Sequence, residues 1–285
     1  MILFLATLGC RETRPPRDFN AVLHGEWSAP VKPFRVVGNI YYVGAKNIAS
    51  YLLTSAEGHV LIDSGTREMA PVVQRNIEQL GFQLRDVKIL LNSHAHYDHV
   101  QSHAALKRLT GARVLVMHED AEAVRTGVDR SPLGDEGWEP VVVDGELRDD
   151  ETVTLGDTTL RAILAPGHTP GCTVWTTTTR DTARTYEVVF YGCVRPNDEV
   201  KLVGNARFPR LIEQTQDTFR RMTTLTPDIY LTMHPEQQFA GKLDALVAGT
   251  RPHPLDDRAA WPALIHEYET EFAERVARAR REPAR

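Results

Sequence analysis

The run Asn92-Ser93-His94-Ala95-His96-Tyr97-Asp98-His99 restricts this chain more than any other stretch. It puts three imidazoles and a carboxylate within six positions, directly after the apolar run Val87-Lys88-Ile89-Leu90-Leu91. Imidazole nitrogen and carboxylate oxygen suit zinc and related first-row metals. A run this dense cannot send every side chain to one metal with good geometry. His94 and His96 alternate as neighbours at a strand end do, while Asp98 and His99 fall where the chain turns into a helix starting near Val100. Two adjacent metals sharing one cluster is the economical arrangement. The plain alternative is a polar turn with solvated histidines, but His24, His59, His103, His118, His253 and His266 form no comparable cluster elsewhere.

One segment cannot complete two metal sites, so further ligands must come from later in the chain. Ala165-Pro166-Gly167-His168-Thr169-Pro170-Gly171 follows a strand-like run and folds as a tight loop around one histidine. Thr232-Met233-His234-Pro235 follows the short apolar run Ile229-Tyr230-Leu231. Both histidines sit just past a strand end, in loops of the kind that carry function on a rigid scaffold. Alone, each would read as an ordinary loop histidine; beside the first cluster, both become candidate ligands.

Together these residues resemble the metallo-β-lactamase superfamily: His-x-His-x-Asp-His, then Gly-His-Thr-x-Gly, then a histidine after the final strand. Val60-Leu61-Ile62-Asp63-Ser64-Gly65 supplies the aspartate that stands behind the ligands, Asp63. A carboxylate there can fix a metal-bearing loop or accept a hydrogen bond from a ligand imidazole. The resemblance runs from about residue 30 to the C-terminal helix and looks closest to the subclass whose di-zinc site uses only His and Asp. The segments 106–112, 144–146 and 204–209 support it. It implies an αββα sandwich of two mixed β-sheets flanked by helices, and two Zn2+ per chain. His94, His96 and His168 would hold the first ion, and Asp98, His99 and His234 the second. It also implies the chemistry: water acidified by zinc attacks a carbonyl carbon, the first zinc polarises the carbonyl oxygen, and Asp98 orients the water. The substrate would be a small molecule, a β-lactam. A lactone or thioester, such as an acyl-homoserine lactone, is the same-fold alternative, and a non-catalytic zinc-binding protein the alternative of another class. Ser93 is not framed by the Gly-x-Ser-x-Gly of a serine nucleophile.

Several positions depart from the family pattern. Gln101 is bulky where small residues are usual, and with Trp138 it would narrow or close the pocket. Val194 and Pro196 stand where that subclass commonly has small hydroxyl residues, and neither can donate a side-chain hydrogen bond. A substrate carboxylate would instead meet Arg195, Asn197 or Lys201. Cys193 admits three readings: a buried thiol, an extra metal ligand, or half of a disulfide with Cys172. If 175–178 and 186–189 form a hairpin turning near Asp181-Thr182, the two cysteines fall roughly opposite each other, close enough to bridge.

Composition narrows the rest. A net charge of −5 gives no footing for nucleic acid. The 285 residues, 42% hydrophobic and without repeats, suit one large hydrolase domain over 31–285, expected as a monomer. Residues 1–10 form a short apolar stretch ending at Cys10, followed by a polar tether over 11–30. That pattern predicts a secretory signal, with Cys10 as a possible site of lipid attachment, and a periplasmic location. The stretch is too short to span a bilayer. Strands are predicted at 34–37, 40–43, 50–54, 60–62, 89–92, 113–117, 141–143, 152–155, 159–164, 172–178, 186–191 and 229–232. Helices are predicted at 67–80, with Gly81 as its cap, and at 100–109, 119–125, 211–225 and 260–279.

Overall fold

The computed structural model describes residues 25–281, apart from positions 133, 135 and 183. The signal-like stretch, Cys10 and most of the tether lie outside the described residues. Two sheets make the body. The first runs β1 (Phe34–Val37), β2 (Ile40–Tyr42), β3 (Tyr51–Ser55), β4 (Gly58–Ile62), β5 (Val87–Leu91), β6 (Arg113–Met117) and β7 (Gly145–Leu147), in that spatial order. Its first four strands are antiparallel and its last four pair in parallel. The second sheet has the order β12 (Ile229–Thr232), β11 (Thr185–Tyr191), β10 (Thr173–Arg180), β9 (Thr158–Leu164), β8 (Thr152–Leu155), with only the β11–β12 pair parallel. This is the αββα sandwich of two mixed sheets.

Side-chain alternation along each strand produces the layering. Leu53, Val60, Ile62 and Leu91 point between the sheets, where they meet Trp175, Phe190 and Leu231. Their neighbours Leu52, Leu61 and Leu90 point outward, under the helices Ala70–Gln79, His103–Thr110 and His118–Thr126. Ile163, Val174 and Val189 do the same on the far face, beneath the helices Leu211–Met222 and Ala260–Arg281. Each such buried aliphatic or aromatic side chain contributes about 1.5–3 kcal/mol. No helix among the described residues is long and apolar enough to cross a membrane.

Two predicted elements differ from the structure. The strand expected at 141–143 is a loop, and β7 begins at Gly145 instead. Val141 is buried but Val142 is exposed, and Asp144 sets the register: its carboxylate accepts from Val114 N (2.7 Å) and its own amide donates to Val114 O (2.8 Å). The helix expected from residue 100 is two pieces. A single turn, Tyr97–Val100, carries Asp98 and His99, and a separate helix begins at His103 after a non-helical Ser102. The break lets Ser102 Oγ, which donates to Thr66 O (2.6 Å), also accept from Ala70 N (3.1 Å). It thereby ties the ligand segment to the loop that leaves β4.

Candidate metal centre

Every candidate ligand lies beyond the C-terminal end of a strand, on one edge of the sandwich. His94 and His96 follow β5, Asp63 follows β4, His168 follows β9 and His234 follows β12. Hydrogen bonds between the sheets lock this edge. Thr173 N donates to Ser93 O (2.7 Å), Trp175 Nε1 to Asn92 O (3.0 Å), and Ala49 N to Met233 O (2.9 Å). The segment before the first ligand is therefore held by the second sheet as well as by its own.

The side chains converge as two overlapping groups. His94, His96 and His168 form one set, and His94, Asp98 and His99 the other, with ligand atoms in each within 4.8 Å of one another. His234 joins the second group, its Nε2 3.4 Å from Asp98 Oδ2, while His99 Nε2 lies 3.3 Å from the same oxygen. The outer nitrogens reveal which ring atoms face inward. His168 Nδ1 is 3.0 Å from Arg195 O, and His234 Nδ1 is 2.9 Å from Asn47 O. Carbonyl oxygens only accept, so both Nδ1 atoms carry protons and both Nε2 atoms carry lone pairs. His99 Nδ1 donates to Asp63 Oδ2 (2.8 Å). His94 Nδ1 lies 2.9 Å from Ser93 Oγ, whose proton goes to Asp63 Oδ2 (2.7 Å), so His94 also donates from Nδ1. This outer-partner arrangement is how metal-binding imidazoles are oriented. His96 Nε2 is buried and has no hydrogen-bond partner, which such a site would satisfy.

Burial sets the charge of the cluster. It drives His94 and His168 well below 6.5 and His96 to about 4, and it also lowers His234. These rings are neutral at neutral pH, as a metal ligand must be. Burial pushes the Asp98 carboxyl up, but His99, His234 and His96 outweigh it and hold the group below its ordinary range. Burial would lower His99 too, yet Asp98 and Asp63 reverse that and lift it to about 10. The residues fit zinc by donor type, lone-pair direction and burial.

A cavity of about 630 Å³ opens beside this cluster, with His168 and His234 on its wall together with Arg195, Asn197, Tyr191 and Tyr268. Three expected pocket residues lie off its wall. Gln101 is buried, accepting from Arg67 N (3.1 Å) and donating to Gly137 O (3.0 Å) and Glu136 Oε1 (3.1 Å), so it ties loops together. Trp138 packs in the outer core of the first sheet. Neither lines the cavity. Lys201 is exposed and also off its wall. Val194 borders the cavity but packs in the apolar cluster under the C-terminal helix. Sequence reading missed Arg275, whose guanidinium donates to Pro196 O (2.9 Å) and Asn197 O (2.7 Å) and fixes the wall from that helix. It also missed Asn47. No local motif marks either residue.

The cysteine question resolves to the disulfide. Cys172 and Cys193 are bonded, with Cα atoms 5.9 Å apart. They extend the β10–β11 register, in which Trp175 faces Phe190. The bridge joins the loop carrying His168 to the segment whose Arg195 carbonyl holds that same ring.

Comparison with known proteins agrees with this geometry. A sequence model of the metallo-beta-lactamase superfamily matches residues 43–234. The native FEZ-1 metallo-beta-lactamase from Legionella gormanii is 32% identical with a TM-score of 0.85, over 90% of this chain and 99% of that one. BJP-1, a subclass B3 metallo-beta-lactamase of Bradyrhizobium japonicum, is 32% identical with a TM-score of 0.82, over 90% and 98%. An N-acyl homoserine lactonase of Agrobacterium fabrum, AttM, is 30% identical over 42% of this chain, a match that spans 56% of the lactonase. The chain thus spans little more than half the length of the curated relatives it matches.

Proposed function

The chain belongs to the metallo-beta-lactamase superfamily, and we propose that it is a di-zinc hydrolase opening the amide bond of β-lactams. The carrying observation is likeness to lactamases over whole length: 90% of this chain against 98–99% of FEZ-1 and BJP-1. In this reading His94, His96 and His168 hold one zinc, and Asp98, His99 and His234 the other. Zinc held there supplies an acidified water and a Lewis acid at neutral pH. The chain's own part is orientation. Asp63 fixes His99 and Ser93, the Arg195 and Asn47 carbonyls fix His168 and His234, and Asp98 would orient the water. The cavity beside His168 and His234 takes the substrate, with Arg195 and Asn197 as candidate partners for its carboxylate. An open cavity of that size, with Gln101 and Trp138 off its wall, weighs against a zinc-binding protein without catalysis. The disulfide favours export to an oxidising compartment such as the periplasm, the protein acting there as a monomer.

The partial match to AttM keeps a second reading, lactone hydrolysis at the same centre. Zinc-loaded protein assayed with a penicillin, a carbapenem and an acyl-homoserine lactone separates the two. Turnover of the lactams supports the proposal. Efficient lactone opening with no lactam turnover would replace it with the second reading.

A further inference from the structure

We infer that Asp120 is the positioning residue for the His94, His96 and His168 half of the centre. The inference rests on the metal reading above but not on the identity of the substrate. Asp120 lies in the first turn of the helix His118–Thr126 and is 1% exposed. Its Oδ2 accepts from Ala95 N (2.9 Å) and Thr169 Oγ1 (2.7 Å), and its Oδ1 accepts from Gly171 N (2.7 Å). Ala95 stands between His94 and His96, and Thr169 directly follows His168. One carboxylate therefore joins the two chain segments that bring this half's three imidazoles together.

Two features show that the contact is built for close approach. A Cβ on Gly171 would come within 2.4 Å of Asp120 N and 2.7 Å of its side chain, so only glycine lets the loop reach the carboxylate. A buried carboxylate is costly unless hydrogen bonds satisfy it, and here both oxygens are used by donors from the ligand loops. The amide of asparagine cannot replace it. With one accepting oxygen and one donating nitrogen, it would turn a donor toward Gly171 N–H or toward the Ala95 and Thr169 donors. Asp63 does the matching work elsewhere, accepting from Ser93 N (2.6 Å), Ser93 Oγ (2.7 Å) and His99 Nδ1 (2.8 Å). Asp63 thus acts on the His99 ring directly and on His94 through Ser93 Oγ, whereas Asp120 acts mainly through backbone amides and joins the His94–His96 segment to the His168 loop.

The test compares zinc binding by wild type, Asp120→Asn, His168→Ala and the double variant of the last two, using chelator competition to resolve each equivalent. The circular dichroism of the metal-free proteins is recorded alongside. Wild type should hold two zincs. Asp120→Asn should bind one of them about ten- to a hundredfold more weakly, the usual effect of losing an outer partner, and the other unchanged. Adding Asp120→Asn to His168→Ala should not weaken the zinc that remains, because the half it supports is already lost. Equal weakening of both zincs, no weakening, or further loss in the double variant each overturns the inference. Should Asp120→Asn fail to fold, Thr169→Ala removes one of the three donors and should weaken the same equivalent severalfold; unchanged binding there would refute it. A wild type without zinc would defeat the metal reading itself, and the inference with it, whatever the variants do.

Discussion

The two halves of the candidate centre adjoin at His94 and each puts one histidine on the wall of the same cavity, yet they make opposite demands on protons. His94, His96 and His168 are kept neutral by burial, as candidate ligands must be. His99 lies between Asp98 and Asp63 and is held as an imidazolium up to about pH 10. The difference comes from where carboxylates stand. In the first half Asp120 gives its oxygens to two amides and a hydroxyl, and the buried Asp129 comes no nearer to a ring than 3.9 Å, from its Oδ2 to His96 Nε2. In the second, Asp63 bonds His99 directly and Asp98 lies 3.3 Å from its other nitrogen. Neighbouring rings on one edge of the sandwich thus differ in charge according to how closely a buried acid meets them.

The hardest test of this division is removal of single ligands. His168→Ala and His234→Ala should each leave about one zinc per chain, and complete chelation should abolish turnover, since bound zinc would supply both the acidified water and the Lewis acid. Elemental analysis of the two variants, with cobalt substitution to compare the surviving sites spectroscopically, reads the outcome. Two full equivalents in either variant, or identical cobalt spectra from both, would dissolve the distinction between the halves.

A pH series sharpens it. In the metal-free protein His99 is raised to about 10, so at pH 7 the second half must release a proton before His99 Nε2 can bind. Its apparent affinity should rise about tenfold per pH unit between 6.5 and 8.5, or about a hundredfold over that span. The first half, with rings whose values lie below 6.5, is already deprotonated there and should stay nearly flat. Zinc titrations at several pH values, with buffer-dependent calorimetry to count released protons, check this. Parallel slopes for both equivalents would mean that the two halves do not differ in protonation.

How much of this was legible before the structure follows from locality. The His94–His99 run, the Gly-flanked His168 and the post-strand His234 carry their signal in adjacent residues, and the structure brings all of them together. The sheets were legible where Leu52/Leu53 and Leu90/Leu91 sort to opposite faces in alternation. What was hidden depends on partners distant in sequence. Asp120 reaches residues 25 and 51 positions away, and Arg275 holds a loop 79 positions away. An isolated acid or arginine on a helix reads as solvated surface. Gln101 misled for the same reason: its bulk was plain, but not the Arg67 and Gly137 backbone groups that absorb it.

The disulfide allows a smaller perturbation confined to one half. Cys172 and Cys193 close a short loop next to His168, and such a bridge typically contributes about 2–4 kcal/mol. The double variant Cys172→Ala/Cys193→Ala should lower stability by about that amount in urea unfolding. Any loss of zinc affinity should fall on the equivalent bound by His168. Unaltered stability would show the bridge to be incidental, and weakening of the His234 equivalent instead would join the halves that the hydrogen bonds separate.

The smallest effect concerns substrate rather than metal, and it asks whether the cavity wall can be altered without disturbing the half it touches. Arg195 serves twice: its carbonyl holds His168, while its side chain faces the cavity. That guanidinium already has company, with Asp198 Oδ1 at 3.0 Å, Glu271 Oε2 at 4.0 Å and the Tyr268 ring 4.9 Å beneath it. A substrate carboxylate must therefore share or displace an existing acid, and partly exposed ion pairs of this kind are worth only about 0–1 kcal/mol. Arg195→Met keeps the carbonyl and removes the charge. It should raise KM for a carboxylate-bearing lactam by up to about fivefold, leave both zincs in place, and matter less as salt is added. Lys201→Met, exposed and off the cavity wall, should leave KM where it was. Steady-state kinetics of the two variants decide between the positions: a KM that rises only in Lys201→Met would transfer the carboxylate to Lys201, and zinc loss in Arg195→Met would mean that substrate wall and metal support cannot be separated.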